Sequence, residues 1–407
     1  MATITTEIIS EISAVNDNVN VEMAATSGSK HLLADPGNHP AEHFKNRMSR
    51  LRFQSREYLT KFTNNQSNFL YSLQKRHRTP LRDIYFKYTS FMGAHTFYVI
   101  ALPMPVWFGY FDVTQDMIYI LGYSIYLSGY LKDYWCLPRP RAPPVERIAL
   151  SKSTTKEYGA PSSHSANATG VSLLFFWKIC MAETLTWPMR LFFLSLVVLY
   201  YLTLVFGRVY CGMHGTLDLF SGASVGAICF IIRIGSGYVF RNFHSGEHFW
   251  FPFLSVAWGL FILFNHVRPV DECPCFEDSV AFIGVVGGLE FSDWLIQRYG
   301  LNLVCSRYTV YGLKVFLRPL VGVASVLIWK DVISKTLVYT LLIKLLKFRD
   351  DRGEKAHLHN KNREDVECSL YIGVPKIEIF GRYIIYAGIP ATVILLCPIF
   401  FTWANLG

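Results

Sequence analysis

The sequence predicts an all-α, polytopic membrane helix bundle with eight or nine transmembrane helices, and three observations lead there. Of the 407 residues, 51% are hydrophobic and only 17% are charged, with a mean hydropathy of +0.26, which is too apolar for an ordinary water-soluble domain. The apolar residues come in repeated runs of roughly 20, the length a helix needs to cross ~30 Å of hydrocarbon while satisfying its own backbone. Tyr and Trp, among them Trp107, Tyr110, Tyr134, Trp135, Trp250 and Trp403, gather near the ends of these runs, where amphipathic rings meet lipid headgroups.

In chain order, residues 1–40 are rich in Ser, Asn, Thr, Glu and Ala without apolar periodicity and are expected to be disordered. Residues 41–85 are basic. Phe53, Tyr58, Leu59, Phe62, Phe69, Leu70 and Leu73 recur there at roughly helical spacing, giving an amphipathic segment that either lies along the membrane or docks on the protein. Crossing helices are expected over 86–111, 114–131, 164–182, 188–207, 213–234, 249–266, 277–297, 317–346 (one long or two short) and 381–403. A core over 86–240 is thus followed by further crossing helices over 241–407, interrupted by a charged loop at 348–379. Residues 1–45 do not resemble a cleavable signal peptide, so the first crossing helix is expected to direct insertion.

The formal charge of +9 is concentrated ahead of the first crossing helix, from Lys45 to Arg82, and again in the 344–363 region. Such stretches suit anionic lipid headgroups. No nucleic-acid-binding fold accompanies the charge. The nine cysteines form neither a disulfide framework nor a four-ligand zinc pattern, and Cys273-Pro-Cys275 reads as loop structure. A metal or cofactor requirement is not read from these residues.

Ionisable residues near the ends of membrane helices call for a functional reading, and three clusters stand out. Lys132 and Arg139 are seven residues apart, two helical turns, and Pro138 with Pro140 halts any helix there, leaving two cations beside an anion site. Ser162, Ser163 and His164 precede an apolar run, where a serine cap and free backbone N–H groups favour a phosphate oxygen. Arg208, His214 and Asp218 close one run and open the next. On a helix, His214 and Asp218 would share a face, so that the carboxylate holds the imidazole in one tautomer. Taken singly, each cluster also reads as snorkelling cations, a helix cap or a structural hydrogen-bonded pair. Taken together, on one membrane face, they supply what phosphoryl transfer through a covalent intermediate needs: cations for the equatorial oxygens, an attacking imidazole and a second imidazole to protonate the leaving alcohol.

The order Lys-x6-Arg-Pro, Pro-Ser-x-His, Arg-x5-His-x3-Asp over residues 132–218 resembles the three-part signature of the type 2 phosphatidate phosphatase superfamily, which includes lipid phosphate phosphatases, glucose-6-phosphatase and vanadium haloperoxidases. Two positions depart from it: Ser163 stands where glycine is usual, and Gly207 where a serine usually precedes the arginine. The Pro-Ser-Ser-His form, with Leu102–Tyr110, Lys132–Pro144, Tyr158–Gly170 and Asp271–Phe282, is similar to the sphingosine-1-phosphate phosphatase branch and its fungal dihydrosphingosine-1-phosphate phosphatases. That resemblance implies His214 as nucleophile, Asp218 as its orienting partner and His164 as general acid, with Lys132, Arg139, Ser162, Ser163 and Arg208 binding phosphate. It further implies a long-chain base phosphate as substrate, no metal requirement and residence in the endoplasmic reticulum membrane with the site facing the lumen. Charge bias alone would put the same face in the cytosol by the positive-inside rule, whereas a glycan on the acceptor Asn65-Gln66-Ser67 would favour the lumen. The alternatives are a lipid phosphatase of broader specificity and a phosphate or lipid transporter. A transporter would distribute polar residues through its spans rather than gather them at one face.

Overall fold

The computed structural model describes residues 35–150, 156–271, 273–303, 312–350 and 376–406. The tail up to residue 34 and most of the charged loop expected at 348–379 lie outside the described residues. Within them, all regular structure is helical. Four short helices come first: α1 (Ala41–Lys45), α2 (Arg50–Thr60), α3 (Gln66–His77) and α4 (Pro80–Thr89). The core follows with α5 (His95–Ala101), α6 (Pro103–Trp107), α7 (Phe111–Trp135), α8 (Ser163–Met181), α9 (Trp187–Tyr210) and α10 (Thr216–Val239). Beyond it lie α11 (Phe251–Phe264), α12 (Cys275–Tyr299), α13 (Lys314–Leu327), α14 (Ser334–Thr340), α15 (Lys376–Ala391) and α16 (Cys397–Trp403). Single π-helical stretches join α13 to α14 and α15 to α16.

Four units are long and apolar enough to cross a bilayer: α9, α10, α12 and the continuous Lys376–Trp403, with shorter apolar helices at Phe97–Trp107 and Phe251–Phe264. The first expected span, 86–111, is broken. The break falls where a short turn over Ser90–Gly93 ends at Ala94 in an extended conformation (φ −81°, ψ 150°), whereas Leu102, between α5 and α6, keeps helical dihedrals with Pro103 opening α6. The outer faces of α9 and α10 expose Leu191, Leu199, Leu202, Phe206, Phe220, Ile228 and Ile231, the surface expected of helices bordering lipid.

Helix α7 is the central post, packed against α8, α10 and α12, and α12 in turn packs along α15. Its core side chains Ile120, Leu121 and Ile125 meet Leu174, Val225, Phe282 and Val286. Helices α8 and α10 cross at backbone contact. A Cβ on Gly226 would stand 2.1 Å from the Ala166 carbonyl oxygen, and one on Gly222 2.4 Å from that of Ser162, so only glycine admits this approach, as at other close membrane crossings. The crossing fixes the two helix starts side by side, with Ser162 N donating to Asp218 O (2.8 Å) and Ser165 Oγ to Leu219 O (2.8 Å).

The basic segment docks on the protein at this same end. Arg52 is buried and donates to the carbonyls of Tyr134 and Asp133 at the end of α7. Arg56, also buried, stacks on Phe44 at 3.6 Å and donates to Gly37 O. Tyr58, Phe62 and Phe69 remain exposed on its outer side. Two expectations need correction. Trp107 is fully buried against Phe401 instead of lying at a lipid boundary. Cys273 and Cys275 form a disulfide. Their spacing fits no disulfide framework, so sequence pattern gave no reason to pair them.

Candidate functional site

The three clusters converge where α7 ends and α8 and α10 begin. Lys132 lies in the last turn of α7, which stops at Cys136 in a left-handed conformation (φ 49°). The chain then leaves the helix, so Arg139 reaches the site from a loop and not from a second turn of helix above Lys132. Both cations are buried, and both contact one oxygen of Glu157: Lys132 Nζ bonds Oε2, and Arg139 Nη2 lies 3.4 Å from the same atom. Arg139 is held further by donating from Nε to Glu157 O (2.7 Å) and from Nη1 to Met213 O (2.9 Å). Burial pushes its guanidinium down to about 10, still charged at neutral pH.

His214 precedes α10, and the reason it meets Asp218 differs from the helical-face expectation. Asp218 is the third residue of α10, and its Oδ2 caps the helix by accepting from Gly215 N (2.9 Å). The same oxygen lies 3.3 Å from His214 Nδ1. With Nδ1–H directed at the carboxylate, Nε2 carries the lone pair, and it faces Arg139 Nη1 at 3.2 Å. His214 is only 2% exposed. Burial, and then the neighbouring cations Arg139, Lys132 and Arg208, hold its imidazole well below the usual histidine value, so at neutral pH it is an uncharged ring with an available lone pair.

Ser162 caps α8 as the sequence predicts, its Oγ accepting from Ser165 N, though at a long 3.4 Å. Ser163 and His164 open that helix, giving its first backbone N–H groups. The His164 ring packs against Gly93, where a Cβ would stand 2.5 Å from Cδ2. The turn before α5 therefore fixes the imidazole from the side. Arg208 is buried one turn before α9 ends, and among the described residues nothing accepts a hydrogen bond from its guanidinium, leaving a planar fork for a ligand. At the departure from the superfamily pattern, a Cβ on Gly207 would meet Phe86 Cδ1 at 3.0 Å. The aromatic ring of α4 occupies the room a serine would take.

All eight residues singled out from the sequence thus belong to one end of the bundle. Sequence reasoning missed Glu157, one of two acids in a largely basic loop, directly before the Tyr158–Ser162 turn. It also missed Gln66, discussed below. Among the described residues, His39, His43 and Asp271 bring ligand atoms within 4.8 Å of one another at the N-terminal segment.

Comparison with known proteins agrees with this geometry. Residues 113–241, which hold the whole site, match the model of the PAP2 superfamily. Over 400 residues, covering 98% of this chain and 99% of the relative, the sequence is 74% identical to dihydrosphingosine 1-phosphate phosphatase YSR3 of Saccharomyces cerevisiae. The chain belongs to the PAP2 superfamily. Dihydrosphingosine 1-phosphate phosphatase C823.11 of Schizosaccharomyces pombe is 34% identical over 87% of this chain and 92% of its own length. Human sphingosine-1-phosphate phosphatase 2 is 27% identical over 53% of each chain. Within this PAP2 protein the family match stops near the end of α10, so α11 to α16 lie outside the family core although the yeast relatives share them.

Proposed function

We propose that this protein hydrolyses long-chain base 1-phosphates, such as dihydrosphingosine 1-phosphate, to the free base and phosphate. The observation that carries the reading is the buried His214, uncharged, with Nδ1 on Asp218 and Nε2 directed among Arg139, Lys132 and Arg208. A phosphate seated on those cations places phosphorus within reach of Nε2, the separation at which attack begins being ~3–3.5 Å. Nε2 forms the P–N bond while the ester P–O bond breaks, and His164 protonates the departing alcohol oxygen. Water, deprotonated by the same His164, then cleaves the phosphohistidine and frees inorganic phosphate. Asp218 offsets the positive charge that His214 acquires on phosphorylation. Backbone N–H groups of Ser163 and His164, with Ser162, complete the phosphate seat.

The same reading includes eight or nine membrane-crossing helices and residence in the endoplasmic reticulum membrane with the site on the lumenal side. The test is phosphate release from dihydrosphingosine 1-phosphate by the purified protein in detergent with excess EDTA, comparing wild type, His214→Ala and His164→Ala. Release by wild type alone is expected. Equal rates in the His214 variant would remove it as nucleophile. No release from folded wild type would turn attention to other lipid phosphates and then to transport.

A further inference from the structure

A cleft of about 260 Å³ borders Gly215 and Thr216, the two residues that follow His214, and is lined by Phe62, Asn64, Gln66 and Phe69 on one side and Val209, Gly215 and Thr216 on the other. Gln66, the first residue of α3, lies over Gly215: a Cβ there would stand 1.9 Å from Gln66 Oε1, so the carboxamide rests against the backbone of the residue next to the nucleophile. That oxygen is buried and accepts no hydrogen bond. A buried acceptor left without a donor is costly and calls for an explanation.

We propose that this cleft seats the amino-alcohol part of the substrate and that Gln66 Oε1 accepts a hydrogen bond from its ammonium or hydroxyl. The inference rests on the function proposed above and names the feature of the substrate that is read. Once phosphorus sits near His214, the carbons bearing the ester oxygen and the amine fall beside Gly215, where Gln66 waits. A cleft of this volume has room for several water-sized groups, enough for an amino-diol head.

The alkyl chain then has an apolar route outward. Phe62 and Phe69, both more than half exposed, flank the mouth. Phe206 stands one helical turn from Val209 on α9, and Phe220 one turn from Thr216 on α10, both exposed towards lipid. The acceptor is suitably neutral. A carboxylate here would hold an ammonium more strongly but would repel the adjacent phosphate, and no acidic residue lines the cleft.

The experiment compares kcat/KM for dihydrosphingosine 1-phosphate and hexadecyl phosphate, which has a similar chain and phosphate but neither amine nor hydroxyl, in wild type, Gln66→Leu and Gln66→Met. The second variant keeps an unbranched side chain of similar length against Gly215. Wild type is expected to prefer the amino-alcohol substrate. Both variants should lose about tenfold to a hundredfold of that preference, the usual worth of a hydrogen bond to a charged group. An equal fall on both substrates would overturn the proposal, since Gln66 would then only support the loop carrying His214. A preference unchanged in both variants would also overturn it. A wild type that cleaves both substrates equally would overturn the subsite while leaving the phosphatase reading intact. One that cleaves only hexadecyl phosphate would overturn both.

Discussion

Glu157→Gln separates two roles for the acid that bridges the phosphate-binding cations. Because Lys132 and Arg139 share one Glu157 oxygen, an arriving phosphate has to displace a carboxylate from the seat it needs. At an effective dielectric near 20, unit charges 3.4 Å apart, the Arg139 distance, attract by about 5 kcal/mol. Most of that is offset by the cost of taking both charges out of water. A net ~1.5–3 kcal/mol, typical of a hydrogen bond to a charged group, remains as the cost of displacement. Glutamine keeps an oxygen for Lys132 but removes the competing charge. Inhibition of hydrolysis by inorganic phosphate or orthovanadate should therefore strengthen by about tenfold to a hundredfold, with KM for substrate falling in parallel. An inhibition constant that stays the same or rises would refute this reasoning. Glu157 would then be holding the two cations in position for phosphate instead of competing with it.

Two further outcomes follow from the same geometry. In Asp218→Asn, the amide oxygen can still cap Gly215 or accept from His214, but the charge that balances phosphorylated His214 is gone. With melting in detergent near that of wild type, kcat should fall by about 10²–10⁴, and a wild-type rate would remove Asp218 from its role. The contribution of two buried histidines to stability should fall on acidification, while buried carboxyl groups contribute in the opposite sense. His214 is held well below the usual value, and burial brings His266 down to about 4, with Asp133 at 3.8 Å too distant to bond it. Both histidines stay neutral in the fold, while the unfolded chain takes up protons near pH 6.5. Below that pH the unfolded state binds more protons, so stability present above pH 6.5 is lost as pH falls towards 4, by at most about 1.4 kcal/mol per pH unit per group. The difference in melting temperature in detergent between wild type and His266→Gln should trace that decline for His266. A difference that does not change between pH 7 and pH 4 would count against the neutral assignment.

Much of this site was legible because its residues sit at places where sequence pattern changes. An apolar run ends at Lys132, another begins after Ser162, and a third pair meets around Arg208 and His214; cations, a cap and an imidazole at such boundaries are informative because charge inside lipid is expensive. The contacts within the site were less legible. Four-residue spacing suggested that His214 and Asp218 share a helix face, whereas the histidine lies before α10 and the aspartate reaches it by capping the helix. The long helices showed their period, but the first span did not show its break, since aromatic and apolar residues continue on both sides of the turn at Ser90–Ala94.

Glu157 and Gln66 were invisible for a different reason: their significance arises from tertiary contact. Glu157 is 25 residues from Lys132 and meets it only because the loop returns over the end of α7. Gln66 belongs to an amphipathic segment that composition alone could equally place on the membrane surface. Its docking involves two buried arginines, Arg52 and Arg56, which donate to backbone carbonyls at the end of α7 and at Gly37. Once that segment is docked, α3 supplies one wall of the cleft and α10 the other, while the phosphate seat is built from helix ends whose positions the close α8–α10 crossing fixes. The separation has a chemical consequence. Residues of the family core can retain the hydrolytic chemistry while residues of the docked segment set which phosphate ester is accepted, so substitutions along α3 should alter substrate preference before they alter the fate of the phosphoryl group.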